Sequence, residues 1–113
     1  MAPDLEAARK RLLAEREKLL QSLDQERLPE LDQLTYGSQA ASASQVFEQS
    51  RALALRGNLQ ELLRRVDEAL ARCAEGTYGA CEICGQNIPP ERLDILPYAA
   101  RCIRCQEDQE SRR

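Results

Sequence analysis

The sequence predicts an all-α protein: a long antiparallel helical hairpin (coiled coil) followed by a small four-cysteine lobe with a C-terminal helix. Three observations predict it. Two Cys-x-x-Cys pairs, Cys81 with Cys84 and Cys102 with Cys105, stand 17 residues apart in the C-terminal third. Upstream, apolar residues recur at helical spacing over two stretches of about thirty residues each. Aromatic residues are only 4% of the chain, too few rings for a conventional globular core. Leu, Ala, Glu, Arg and Gln dominate instead, as they do in long helices.

The cysteine spacing is that of a four-thiolate zinc site. Two residues between cysteines make a tight knuckle that aims both sulfurs at one ion, and Gly85 follows the first knuckle, where a turning backbone benefits from having no Cβ. Two disulfides, or four unrelated thiols, are the competing readings. A catalytic zinc normally keeps a position open for water, whereas four thiolates fill the tetrahedron, so one structural Zn2+ is expected, with redox-labile zinc as the sharper alternative. Cys73, the fifth cysteine, falls on an apolar helix seam. It reads as a small buried hydrophobe, or as a spare ligand or reactive thiol.

Residues from about Asp4 to Leu34 read as one helix, with Leu5, Leu12 and Leu19 at heptad spacing and Leu13, Leu20 and Leu23 widening the stripe. Pro3 sits at its start, where proline is tolerated, and Pro29 should kink or end it. Thr35-Tyr36-Gly37-Ser38 is the candidate reversal. Helix resumes by about Ala40 to Val46 and runs to about Glu75, on a seam of Ala52, Leu55, Leu59, Leu62, Val66, Ala69 and Cys73. Gly76 reads as its C-cap. The expected division is 1–75 for the hairpin, its tip near 35–44, and 76–113 for the lobe and C-terminal helix.

In the lobe, Ile88-Pro89-Pro90-Glu91-Arg92-Leu93 suggests a bend and a short helical turn, ended by Pro97. A closing helix starts near the second knuckle. The lobe's apolar residues are chiefly Ile83, Ile88, Leu93, Ile95, Leu96 and Ile103, so zinc must supply much of its folding free energy.

Composition excludes several classes. The chain has no histidine, so histidine-dependent acid–base or nucleophilic chemistry is absent, and no carboxylate cluster or cleft-forming sheet suggests an enzyme. A net charge of −3 with interspersed signs disfavours direct DNA binding. No apolar run approaches a membrane span, and the N-terminus is charged from the outset, unlike a signal peptide. A reducing cytoplasm, no membrane contact and a monomeric state are expected.

With the knuckles behind a helical hairpin, the chain resembles the DksA/TraR family of bacterial RNA-polymerase regulators. The resemblance is carried by Gly76-Thr77-Tyr78-Gly79-Ala80-Cys81-Glu82-Ile83-Cys84-Gly85, Ile88-Pro89 with Arg92-Leu93, Pro97-Tyr98-Ala99, and Cys102-Ile103-Arg104-Cys105-Gln106. It is dense over about residues 70–106 and rests on architecture and length over the hairpin. It implies that Cys81, Cys84, Cys102 and Cys105 ligate zinc, and that the coiled-coil tip enters the secondary channel of RNA polymerase towards the catalytic magnesium. It further implies altered open-complex lifetime, in some members together with ppGpp.

At the tip the sequence departs from the family. The Asp-x-x-Asp-x-Ala pattern of the best-known members falls on Ser38-Gln39-Ala40-Ala41-Ser42-Ala43, with both acids replaced. A hydroxyl and a methyl cannot act on a metal or its basic surroundings as carboxylates do. Ser38, Ala41, Ser42 and Ala43 are the candidate partner-binding residues, and Glu48 is the nearest following acid. Tyr36 and Phe47 either staple the turn or touch a partner; Arg101 and Arg104 either offset the dianionic zinc–thiolate centre or face polymerase. The alternative function is a zinc-stapled protein–protein interaction module without polymerase activity. A DNA-binding zinc ribbon or a redox enzyme ranks last.

Overall fold

The computed structural model describes residues 3–25 and 39–112, the side chains of 39–42 excepted. The kink expected at Pro29 and the reversal at Thr35-Tyr36-Gly37-Ser38 lie outside the described residues. Four helices follow in order: α1 Leu5–Gln25, α2 Gln39–Glu75, α3 Pro90–Ile95 and α4 Ile103–Ser111. The described residues hold no β-strand, only an isolated antiparallel bridge between Ala80 and Asn87.

Asp4 starts α1 by accepting hydrogen bonds at Oδ1 from the amides of Glu6 and Ala7 at 3.1 and 3.2 Å. At 37 residues, α2 is the longest element, about 55 Å from end to end. The pairing of the two is antiparallel: Arg16 Nε donates to Asp67 Oδ1 at 2.8 Å, and Arg56 Nη1 to the Leu23 carbonyl at 3.0 Å. Advancing along α1 means retreating along α2. The molecule is accordingly elongated, with extents of 63 × 33 × 20 Å.

Ala8, Leu12 and Leu19 supply the buried side chains of α1, and Val66, Ala69 and Cys73 those of α2; Leu12 and Val66 are fully enclosed. Leu59, Leu62, Leu63 and Leu70 pack against this core, half-buried. Three expected seam positions depart from it. Leu5, Leu13 and Leu55 are 37%, 43% and 40% exposed. Leu5 opens the first turn of α1, and Leu13 lies on the flank of the stripe. On distal α2, Arg56 lies half-buried where Leu55 was expected. Its stem covers the seam while its guanidinium reaches the Leu23 carbonyl, as long cationic side chains do.

Gly76 ends α2 at φ +80, with its amide on the Cys73 carbonyl at 3.3 Å and the Thr77 amide on the Arg72 carbonyl at 2.9 Å. That pair of bonds is a Schellman cap. Beyond it, Tyr78, Cys81, Ile88, Leu93 and Ala99 continue the same core into the lobe. Of the lobe's few apolar residues, Ile83, Ile95 and Ile103 are 49%, 78% and 50% exposed. Each knuckle turns its sulfurs to one point, which sends Ile83 between them and Ile103 beside them outward. In six-residue α3, Leu93 takes the inward position and Ile95 is left at the solvent side.

The burial pattern separates neighbouring leucines. Leu12→Ala should cost about 2–5 kcal/mol through lost burial and a residual cavity, whereas Leu13→Ala should fall within about 0.5 kcal/mol of the parent. Urea denaturation followed by helix circular dichroism measures both. Equal costs would mean the stripe does not face α2 as described.

Candidate metal centre

The first knuckle is built by short backbone bonds. The Cys81 amide donates to the Gln86 carbonyl at 2.8 Å, the Gly85 amide to the Cys81 carbonyl at 3.0 Å, and the Ile88 amide to the Gly79 carbonyl at 2.7 Å. Gly79 and Gly85 adopt φ of +88 and +76, in the left-handed region where a Cβ is strained. The second knuckle leads directly into α4, whose N-cap is Cys102 and whose first turn is closed by the Gln106 amide on the Cys102 carbonyl at 3.0 Å. The Glu82 amide donates to the Ala100 carbonyl at 2.9 Å and staples the two knuckles together.

This arrangement brings the four Sγ atoms of Cys81, Cys84, Cys102 and Cys105 within 4.8 Å of one another, with Cys84 and Cys102 at 3.9 Å. A tetrahedron with Zn–S near 2.3 Å has edges of about 3.8 Å, so the sulfurs present fit a single zinc ion. All five cysteines are free thiols, and Cys73 stands outside the quartet, in the core of α2. Burial pushes its thiol up, with Arg72 and Arg9 opposing in part. That leaves it a poor nucleophile.

Within the quartet the sulfurs are not equivalent. Burial raises the Cys81 thiol, but hydrogen bonds from the backbone at Cys84, Cys102 and Ile83, and from the Cys105 side chain, bring it down to about 6. Cys105 goes the other way. Its side-chain hydrogen bond with Cys102, then burial, then the neighbouring sulfurs push it up to about 12. One thiol of the metal-free cluster is thus poised to ionise first and another last.

Arg101, expected to offset the thiolates or face a partner, gives its Nε to Glu82 Oε1 at 2.7 Å; Glu82 Oε2 is 4.0 Å from Arg72 Nη1. Arg104 lines an open groove beside Cys84, Cys102 and Cys105, together with Glu107 and Asp108 one turn further along α4. Of the candidate tip residues, Ala41, Ser42 and Ala43 are not near this centre. Ser38 lies outside the described residues, the backbones of Ala41 and Ser42 lie in the opening turn of α2 with their side chains outside the description, and Ala43 is exposed. Phe47, the other candidate on that end, is 71% exposed. About 50 Å of helix separates Ala43 from the end of α2. Arg11 and Tyr78 were not singled out as site residues, although both tie the lobe down: Tyr78 Oη donates to the Pro97 carbonyl at 2.8 Å, and Arg11 Nη2 to the Asp94 carbonyl at 2.6 Å. No local spacing announces a contact across 83 residues.

Zinc binds thiolates, so uptake by the lobe should release protons and weaken as pH falls. Between about pH 8 and 6 the most acidic sulfur is already ionised and contributes little to that dependence. Below about 6 it too must lose its proton on binding, and the fall should steepen. Competition with a chromophoric chelator across pH 5–8 measures the slope. A slope that stays constant through 6 would contradict the assigned asymmetry.

Residues 76–111 match the family model of the prokaryotic dksA/traR C4-type zinc finger. The lobe is therefore a zinc finger, and its cofactor is one structural zinc ion. General stress protein 16O of Bacillus subtilis is 49% identical over 51 residues, 45% of this chain but only 31% of that protein. The chain thus spans less than a third of that relative in the match. A longer alignment joins it to the RNA polymerase-binding transcription factor DksA of Caulobacter vibrioides, 32% identical over 110 residues, 96% of this chain and 77% of that one. The solved structure of transcription factor DksA2 from Pseudomonas aeruginosa superposes with a TM-score of 0.77 at 32% identity, covering 96% of this chain and 84% of that chain. Rod and finger together are shared, not the finger alone: the chain belongs to the DksA/TraR family.

Proposed function

We propose that this protein is a non-enzymatic, DksA-like transcription regulator of the cytoplasm that binds RNA polymerase, with the rod of residues 1–75 entering the secondary channel and the lobe of 76–113 staying at the rim. The observation that carries the reading is the relationship over 96% of the chain to a factor named for polymerase binding, a match that includes the hairpin as well as the finger. The physical form supports it. A molecule with extents of 63 × 33 × 20 Å, a helical rod with a lobe at one end, suits entry into a deep channel up to a stop. Cys81, Cys84, Cys102 and Cys105 hold the zinc in this reading, and the metal keeps the stop rigid. No direct sequence-specific DNA contact is invoked, and among the described residues no helix is long and apolar enough to cross a membrane.

The mechanism we assign is occupancy of the channel, steric and allosteric, with a muted effect at the active centre. Ser38 and Ala41 stand where the best-known relatives carry acids, and neither can ligate or polarise a metal as a carboxylate does. Ala43 retains the closing alanine of the pattern, and Ser42 lies between.

Binding of the zinc-loaded protein to core RNA polymerase, with and without a competitor that occupies the secondary channel, tests the reading. Binding abolished by the competitor supports it; no binding at micromolar concentration from a protein holding one zinc overturns it. Two variants extend the test. Cys84→Ser should lose the zinc and unfold the lobe, since such sites contribute on the order of 10 kcal/mol, and metal analysis with near-ultraviolet circular dichroism checks it. Ser38→Asp combined with Ala41→Asp should change transcriptional output by about tenfold, the order of one charge-assisted contact, while binding persists; unchanged output would sink the argument about the tip.

A further inference from the structure

Helix α1 meets the lobe at two places about two turns apart. At its entry Pro3 lies over Gly79, so close that a Cβ at Gly79 would stand 2.8 Å from Pro3 Cγ and 3.6 Å from Leu93 Cδ1. Further along, Arg11 donates Nη2 to the Asp94 carbonyl at 2.6 Å and Nη1 to the Leu93 carbonyl at 3.5 Å, with Asp94 Oδ1 3.7 Å from Nη1. These carbonyls belong to the last turn of α3. The Leu96 amide closes that turn on the Arg92 carbonyl at 2.7 Å, leaving those of Leu93 and Asp94 to face outward. A cation at that end also meets the negative pole of the peptide dipoles. A guanidinium spans two successive carbonyls with donors held in a rigid planar fork, whereas an ammonium is a compact charge on a flexible stem and fixes no such geometry.

The contact continues into the metal centre. Arg92, on α3, donates Nε to the Arg101 carbonyl at 3.1 Å, and Arg101 precedes the ligand-position residue Cys102. Leu93, between the two clamped ends, is 6% exposed in the shared core. α1 is thereby joined to α3, and α3 to the second knuckle, by two arginine side chains that each bond to main-chain carbonyls.

We propose that Arg11 is a positioning residue: its guanidinium clamps α1 to the C-terminal carbonyls of α3 and, with Pro3 seated over Gly79, sets the angle at which the rod leaves the lobe. What that angle does for a partner rests on the polymerase reading; the angle itself does not. A tilt of about 10° acting over the roughly 35 Å of α2 beyond the clamped base moves the distal rod by about 6 Å. That is enough to take a rod out of register with a channel that the lobe abuts.

The test is a distance. Spin labels carried by non-cysteine residues at exposed Ala54 and Glu107 leave the thiols free for zinc, and pulsed electron resonance on the full chain gives the separation between rod and lobe. Arg11→Gln should shift or broaden that distribution by about 5 Å, at unchanged helix content and one zinc per chain, readouts that a general loss of stability would move. Arg11→Lys should fail to restore the parent distribution, and the control Leu13→Gln should leave it alone. An unchanged distribution in both Arg11 variants overturns the proposal, and so does full restoration by lysine. Polymerase binding is then read separately. Where the parent binds, Arg11→Gln should weaken it about tenfold through lost preorganisation, and unchanged affinity would overturn the functional consequence. A parent that does not bind defeats the polymerase reading and leaves the distance measurement to decide the clamp.

Discussion

The fold of the lobe depends on four sulfurs meeting at one point. Outside them it buries Tyr78, Ile88, Leu93 and Ala99, a small apolar core for the segment from Gly76 to Ser111. Ordering a segment of that length costs about 1–2 kcal/mol per residue in backbone entropy alone, which so little burial does not offset. Zinc closes the difference, because one ion fixes four chain positions and the two knuckles at once. The surrounding backbone bonds hold that geometry: the Glu82 amide on the Ala100 carbonyl joins the two knuckles, and the Gly85 and Gln106 amides close each of them on a cysteine carbonyl.

That same lobe gives the rod its base. The buried residues form one cluster running from Ala8, Leu12 and Leu19 through Val66, Ala69 and Cys73 to Ile88, Leu93 and Ala99. A two-helix hairpin alone has a single narrow seam, and isolated helices gain most of their stability from packing. Here the seam is closed at one end by a third body. Arg16 with Asp67 and Arg11 with the α3 carbonyls add polar contacts along the edge. The ion pairs are exposed and individually weak, so they specify alignment more than they stabilise.

Much of this was legible in the residues. The four-thiolate centre follows from spacing alone, because two-residue knuckles leave the sulfurs few places to point. The long helices follow from periodicity, and Gly76 as a cap from its position after the last apolar turn. What was not legible is informative. Leu55 and Arg56 are neighbours in a helix, and periodicity assigns the leucine to the seam; that the arginine takes it depends on a carbonyl of Leu23 in the other helix. Ile83, Ile95 and Ile103 count as apolar in any composition, yet the turning of the knuckles and the shortness of α3 expose them. Tyr78 and Ala99 enter the core because the Pro97 carbonyl and the bend around it are brought to the end of α2. For Arg56 and Tyr78 the deciding partner lies far along the chain, where no local pattern reaches.

The distribution of burial also separates folding from whatever the distal rod touches. Among the described side chains of α2, every buried one lies at or beyond Val66, while Ala43, Val46, Phe47, Ser50, Leu53, Ala54 and Gly57 are all exposed along one uncharged face. Substitution on that face removes little buried area, so its composition is not held by the core. The base, in contrast, tolerates little: Leu12 and Val66 are fully enclosed, and Gly79 has no room for a methyl beneath Pro3. A molecule built this way can keep its rod and finger constant while residues towards the tip change. That is the physical condition under which surface residues of the distal rod can vary without loss of the fold.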